Sequence, residues 1–89
     1  MAIQRMNEKT LRALVENGAI KKACIIGSGA RFHIELRTSE RPIIAETNNG
    51  KIKTWASLDG AAKWLKGLGV GTAELNLGQW HPKQKHLVI

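Results

Sequence analysis

Cysteine occurs once in these 89 residues, at Cys24, so no disulfide can close within the chain, and a reducing cytoplasm is the compartment this usage suggests. The apolar stretches run to only a few residues, which excludes a membrane-spanning helix, and no N-terminal run reads as a signal peptide. Acids are scarce. Seven Asp plus Glu stand against 14 Lys plus Arg, for a formal charge of +7, and the sequence pI is near 10.1. Such a balance points toward polyanionic partners and carries no information about fold. The acids are scattered, with no paired carboxylates at a catalytic spacing, and neither a CxxC nor an HxxxH pair is present. Nothing repeats, and no low-complexity tract or linker divides the chain.

What remains fits one small domain with a single modest core. Asn7 has the chemistry of an N-cap, Glu8 sits in the first turn, Leu11, Leu14 and Val15 form an apolar stripe, and Asn17-Gly18 supplies a left-handed stop. From Ile20 the period changes from 3.6 to 2. Strands are expected over Ile20 to Ile26, Ala30 to Thr38, Pro42 to Thr47 and Lys51 to Ala56. A second helix follows, capped by Ser57, with Leu58, Ala61, Ala62, Leu65 and Leu68 on one stripe, and Gly67, Gly69 and Gly71 end it. Gly71 to Leu77 alternates again as a last strand. Its place is left open between parallel pairing beside the fourth strand and antiparallel pairing at the opposite edge. The expectation is a single-domain α+β fold in the order α-β-β-β-β-α-β, a mainly antiparallel sheet with both helices on one face. Residues 1–80 form the basic domain and 81–89 a flexible tail ending in Leu87-Val88-Ile89.

Turn chemistry sets a register. A type I′ turn at Asn49-Gly50 pairs Thr47 with Ile52, Glu46 with Lys53 and Ile44 with Trp55. A four-residue loop at Thr38 to Arg41 pairs Leu36 with Ile43, and a turn at Ser28-Gly29 pairs Ile25 with Phe32 and Lys22 with Glu35. On this register Lys22, Arg31, Arg37, Lys51, Lys53 and Trp55 share the open sheet face. Cations there would contact phosphates and the indole would stack a base. The same face carries Ile26 and Ile44, which with Trp55 make an apolar centre suited to a dimer or another protein partner. The third possibility is a solvated surface with cross-strand ion pairs.

Other features invite functional readings that their context does not support. Trp64 and Trp80 are expected to pack, Lys63, Lys66, Lys83 and Lys85 to be solvated, and Gly67-Leu68-Gly69-Val70-Gly71 to end a helix, since a phosphate loop precedes one. Cys24, His33, His81 and His86 are the candidate metal ligands, without a ligating spacing. Cys24 and His33 become cross-strand neighbours, but no third group orients them as a catalytic pair. No active site, cofactor or metal is expected. A helix-turn-helix is excluded because Gly18 leads directly into a strand.

The segments Glu8-Lys9-Thr10-Leu11-Arg12-Ala13-Leu14, Asn17-Gly18-Ala19, Thr54-Trp55-Ala56-Ser57-Leu58-Asp59-Gly60-Ala61-Ala62-Lys63-Trp64-Leu65 and Leu68-Gly69-Val70 resemble small plasmid-borne ParC-family partition-associated proteins. These are mainly structural residues. The resemblance implies a non-enzymatic accessory role in plasmid maintenance and transfers no catalytic residue. Combined with the charge pattern it leads to an expectation of DNA binding through the basic sheet face. The alternative is a protein-interaction module, homodimeric or bound to a partition or regulatory protein, that never contacts DNA.

Overall fold

A computed structural model describes residues 4–81. The expected flexible tail, with its Leu87-Val88-Ile89 triplet, falls outside the described residues, apart from His81, whose amide donates to the Gly29 carbonyl at 2.6 Å. The elements are β1 (Gln4–Met6), α1 (Glu8–Glu16), β2 (Lys22–Gly29), β3 (Arg31–Arg37), β4 (Pro42–Ala45), α2 (Leu58–Leu68) and β5 (Glu74–Trp80). The α+β class and the single sheet with two helices are as the sequence implies. Two details differ: β1 precedes the first helix, and Lys51 to Ala56 is held by isolated bridges, not as a full strand. Three residues are too short for β1 to show a period of 2.

Both helices begin where a side-chain oxygen meets an orphan amide. Asn7 Oδ1 accepts from Thr10 N–H at 3.1 Å and Ser57 Oγ from Gly60 N–H at 3.1 Å. The second helix runs through Gly67 and stops at Gly69, whose φ of 107° lets Val70 N–H reach the Leu65 carbonyl at 3.0 Å.

The sheet order is β1-β4-β3-β2-β5. Its centre is antiparallel, β2 with β3 and β3 with β4, and both outer pairs, β1 with β4 and β2 with β5, are parallel. Each outer pairing places a helix in the intervening chain, as parallel connections require. The last strand therefore takes the edge away from β4, and takes it in parallel.

Leu11, Ala23, Ile25, Phe32, Ile34, Leu36, Ile43, Ala45, Ala61, Leu65 and Leu68 form the buried core between sheet and helices. The strand residues among them are those the alternation assigns inward. On α2 the stripe is narrower than its sequence implies, since Leu58 and Ala62 are exposed. No helix among the described residues is long and apolar enough to cross a membrane.

Three hairpin expectations meet three outcomes. The Thr38 to Arg41 loop gives the expected Leu36 to Ile43 pairing, closed by Thr38 N–H donating to the Arg41 carbonyl at 3.1 Å. The first turn centres on Gly29-Ala30, because Gly29, with φ +62°, is the residue that adopts the left-handed conformation. Ile25 accordingly meets Ile34 and Lys22 meets Arg37, a shift of two residues that leaves every side chain on its expected face. At the third turn Gly50, with φ +82°, closes a three-residue loop in which Thr47 Oγ1 accepts from Asn49 N–H at 3.3 Å and Lys51 N–H at 3.2 Å. Glu46 then bridges Ile52, not Lys53. A slip of one residue turns a segment over, so Ile52 and Thr54 face the open side while Lys53 and Trp55 turn toward the helices.

Candidate interaction surface

The face not covered by helices is built from alternate residues of each strand. β2 contributes Lys22, Cys24 and Ile26; β3 contributes Arg31, His33, Glu35 and Arg37; β4 and the bridged segment contribute Ile44, Glu46, Ile52 and Thr54. The parallel edges add Arg5, level with Ile44, and Glu74 and Asn76, level with Cys24 and Ile26. Of the expected nucleic-acid residues, Lys22, Arg31 and Arg37 are on this face, and Lys51 lies at the loop that borders it.

Lys53 and Trp55 are not there. Trp55 exchanges both backbone hydrogen bonds with buried Phe32, at 2.9 Å each, and so shares Phe32's helix-side orientation. Its ring lies 5.1 Å from that of Trp64 on α2, inclined by 52°, with Lys53 Nζ 5.5 Å above it. Trp64 Nε1 donates to Glu8 Oε1 at 3.1 Å, and the other oxygen of Glu8 accepts from Arg12 at 2.8 Å. Arg12 also donates to the Gly67 carbonyl at 2.8 Å. Trp55 is thus part of the seam between the helices and the bridged segment, unable to stack a base or a partner from the open face. The two guanidinium and indole donors hold the Glu8 carboxyl below the usual carboxylate range.

The open face is also less basic than its cations suggest. Lys22 Nζ lies 3.1 Å from Glu74, and Arg37 lies 3.1 Å from Glu35, so two of its cations are paired with acids of the same face. The expected pairs Lys22–Glu35 and Glu46–Lys53 do not form. Arg31 donates to Thr54 Oγ1 at 2.8 Å, and Arg5 reaches the Gly50 carbonyl at 3.4 Å. Between these charges Ile26 and Ile44 are half-buried and Ile52 is 42% exposed. Of the expected apolar centre, Ile26 and Ile44 are on this face with His33 and Glu35 of β3 between them, and Ile52 stands where Trp55 was expected. The signal for this substitution was present in Thr47-Asn48-Asn49-Gly50, which can close a three-residue loop as well as a two-residue one.

Cys24 lines a shallow depression of about 280 Å³ with Lys22, Glu35, Arg37 and Glu74. Burial pushes its thiol up, aided by the carboxylates of Glu74 and Glu35, which makes it a poor nucleophile at neutral pH. It pairs with Glu35, while His33 pairs with Ile26, so the two are diagonal instead of opposite. Burial holds His33 below the usual imidazole range, against the opposing influence of Glu35. Among the described residues no group of three His, Cys, Asp or Glu side chains converges for a metal; the candidate His86 lies outside them.

No family model, curated protein or solved structure matches the chain.

Proposed function

We propose that this chain is an accessory module that works by protein contact through its open sheet face, in the cytoplasm and in the setting of plasmid maintenance that its resemblance implies. The observation that carries this reading is exposed Ile52 on the same face as half-buried Ile26 and Ile44, with two of the face's cations, Lys22 and Arg37, already matched to acids there. An apolar centre with a charged rim is the anatomy of a protein interface. Paired cations are poor counterion-releasing contacts, because each must leave a carboxylate before it neutralises a phosphate. The matching partner is a protein surface with its own apolar patch, flanked by charges of both signs.

The test uses purified full-length chain and the purified partition proteins of the replicon that encodes it, measured by isothermal titration. Wild type is expected to form a complex that Ile52→Asp weakens at least about tenfold, roughly 1.4 kcal/mol, with the circular dichroism unchanged. Absence of any complex, or indifference to both Ile52→Asp and Ile26→Thr, overturns the reading.

The formal charge of +7 favours DNA contact as a second reading. Here the bound cations would be Lys22, Arg31, Arg37 and Lys51, without Lys53 and Trp55. Binding to a labelled duplex at low salt that weakens on Arg31→Ala would support it and displace the first.

A further inference from the structure

β5 is an edge strand of seven residues, and among the described residues it is paired only with β2. Long unpaired edges are templates for another strand, and proteins ordinarily blunt them with lysine, proline, inward charge or shortness. The opposite edge is blunted in that way: β1 has three residues and presents Arg5. β5 has no proline, and its single charge, Glu74, is held by Lys22 at 3.1 Å. It carries two of the four exposed large apolar side chains among the described residues, Leu75 at 44% and Leu77 at 43% exposure. Its one protective device among the described residues is a bulge: Ile26 and Ser28 lie level with Asn76 and Gln79, so the extra residue is on β5, where Leu77 and Gly78 together oppose Gly27.

The register defines what would fit. Leu75 is level with buried Ile25 and so lies on the helix side, and Asn76 is level with Ile26 on the open side. An added strand must be apolar toward the helices and polar toward the open face. Glu74-Leu75-Asn76-Leu77 itself has that alternation. We propose that β5 pairs antiparallel with β5 of a second copy, about a two-fold axis at Asn76, to make a continuous sheet with five strands from each chain. Leu75 then meets the partner's Leu77 and Asn76 meets the partner's Asn76, the regular pairing ending at the bulge that Leu77 and Gly78 form. No like charges are opposed, and four leucines gather on the helix side. A slip of one residue would set Leu75 against the partner's Asn76 and lose that match. The axis also brings both open faces to the same side, so the dimer doubles the contact surface while using none of it.

This inference stands apart from the proposed function, because it uses the edge and not the face. Sedimentation of the full chain is expected to show a concentration-dependent mass rising toward twice 9.8 kDa. Leu77→Lys should raise the dissociation constant at least about tenfold, and Ile52→Asp should leave it unchanged. A second measurement is independent of stability. In a Cys24→Ser background, Asn76→Cys should oxidise to a covalent dimer, since directly opposed strand residues have Cβ atoms about 4.5–5.5 Å apart. A monomer at every concentration, or a dimer indifferent to Leu77→Lys and not cross-linked through position 76, overturns the proposal. Slow amide exchange along the outer edge of β5 in the monomer also overturns it, by showing that another part of the same chain covers that edge.

Discussion

Gly27 is the position where one added carbon would test the placement of β5 most directly. It is buried on β2 opposite Phe32, and Trp80 crosses it to lie 5.4 Å from the Phe32 ring. A Cβ at Gly27 would fall 2.7 Å from Trp80 Cβ, 3.0 Å from Cγ and 3.1 Å from Cδ1. These atoms are at the root of the indole, so no distal rotation relieves the clash; the end of β5 must move away from β2. Overpacking of this kind costs about 1–3 kcal/mol. Replacing a strand glycine offsets about 0.5–1 kcal/mol of it by reducing unfolded-state entropy. Gly27→Ala should therefore lose up to about 2.5 kcal/mol in urea denaturation, centred near about 1 kcal/mol. At about 4–8 °C per kcal/mol for a domain of this size, the melting temperature should fall measurably. A double-mutant cycle identifies the cause: in a Trp80→Ala background the same substitution should be neutral or stabilising. Equal cost in both backgrounds, or no cost in the wild type, would refute the packing of β5 described above.

Other perturbations probe the remaining parts. The carboxyl of Glu8 is depressed by Arg12 and Trp64, so its stabilisation is complete above the ordinary glutamate value of about 4.3 and is lost as pH falls through its lower folded value. Glu8→Gln should flatten that acid limb of a stability-versus-pH curve. His33 is also depressed, mainly by burial, so its neutral form favours the folded state, and stability should decline as pH falls below about 6.5 toward the folded value. An NMR titration should find its midpoint below that of a free histidine, and a midpoint at or above it would contradict the burial. Ser57→Ala removes the cap that accepts from Gly60 N–H and should cost about 1 kcal/mol in thermal unfolding. Leu11→Ala, at a fully buried position, should cost about 2–5 kcal/mol in urea denaturation.

Most of the core was readable because alternation survives a register error of two. Ala23, Ile25, Phe32, Ile34, Leu36, Ile43 and Ala45 are inward whether the first turn is Ser28-Gly29 or Gly29-Ala30. The site was less readable because it depends on parity. One residue in the loop after Thr47 decides whether Lys53 and Trp55 or Ile52 and Thr54 face outward, and Asn48-Asn49-Gly50 is compatible with both. Leu75 and Leu77 alternate as core residues do, yet they are exposed, because α2 packs over β2 and β3 and stops short of the sheet edge.

The amino-acid sequence by itself determined the class, the helix caps, the inward residues of the central strands and the excess of positive charge, all of which follow from local chemistry and short periods. Tertiary structure alone decided the strand order, the parallel seat of β5 and the company each charge keeps. Those depend on contacts between segments far apart in the chain, such as Lys22 with Glu74 and Trp64 with Glu8. Local propensity carries no information about such pairs, and on the open face two of the cations, Lys22 and Arg37, are matched to acids.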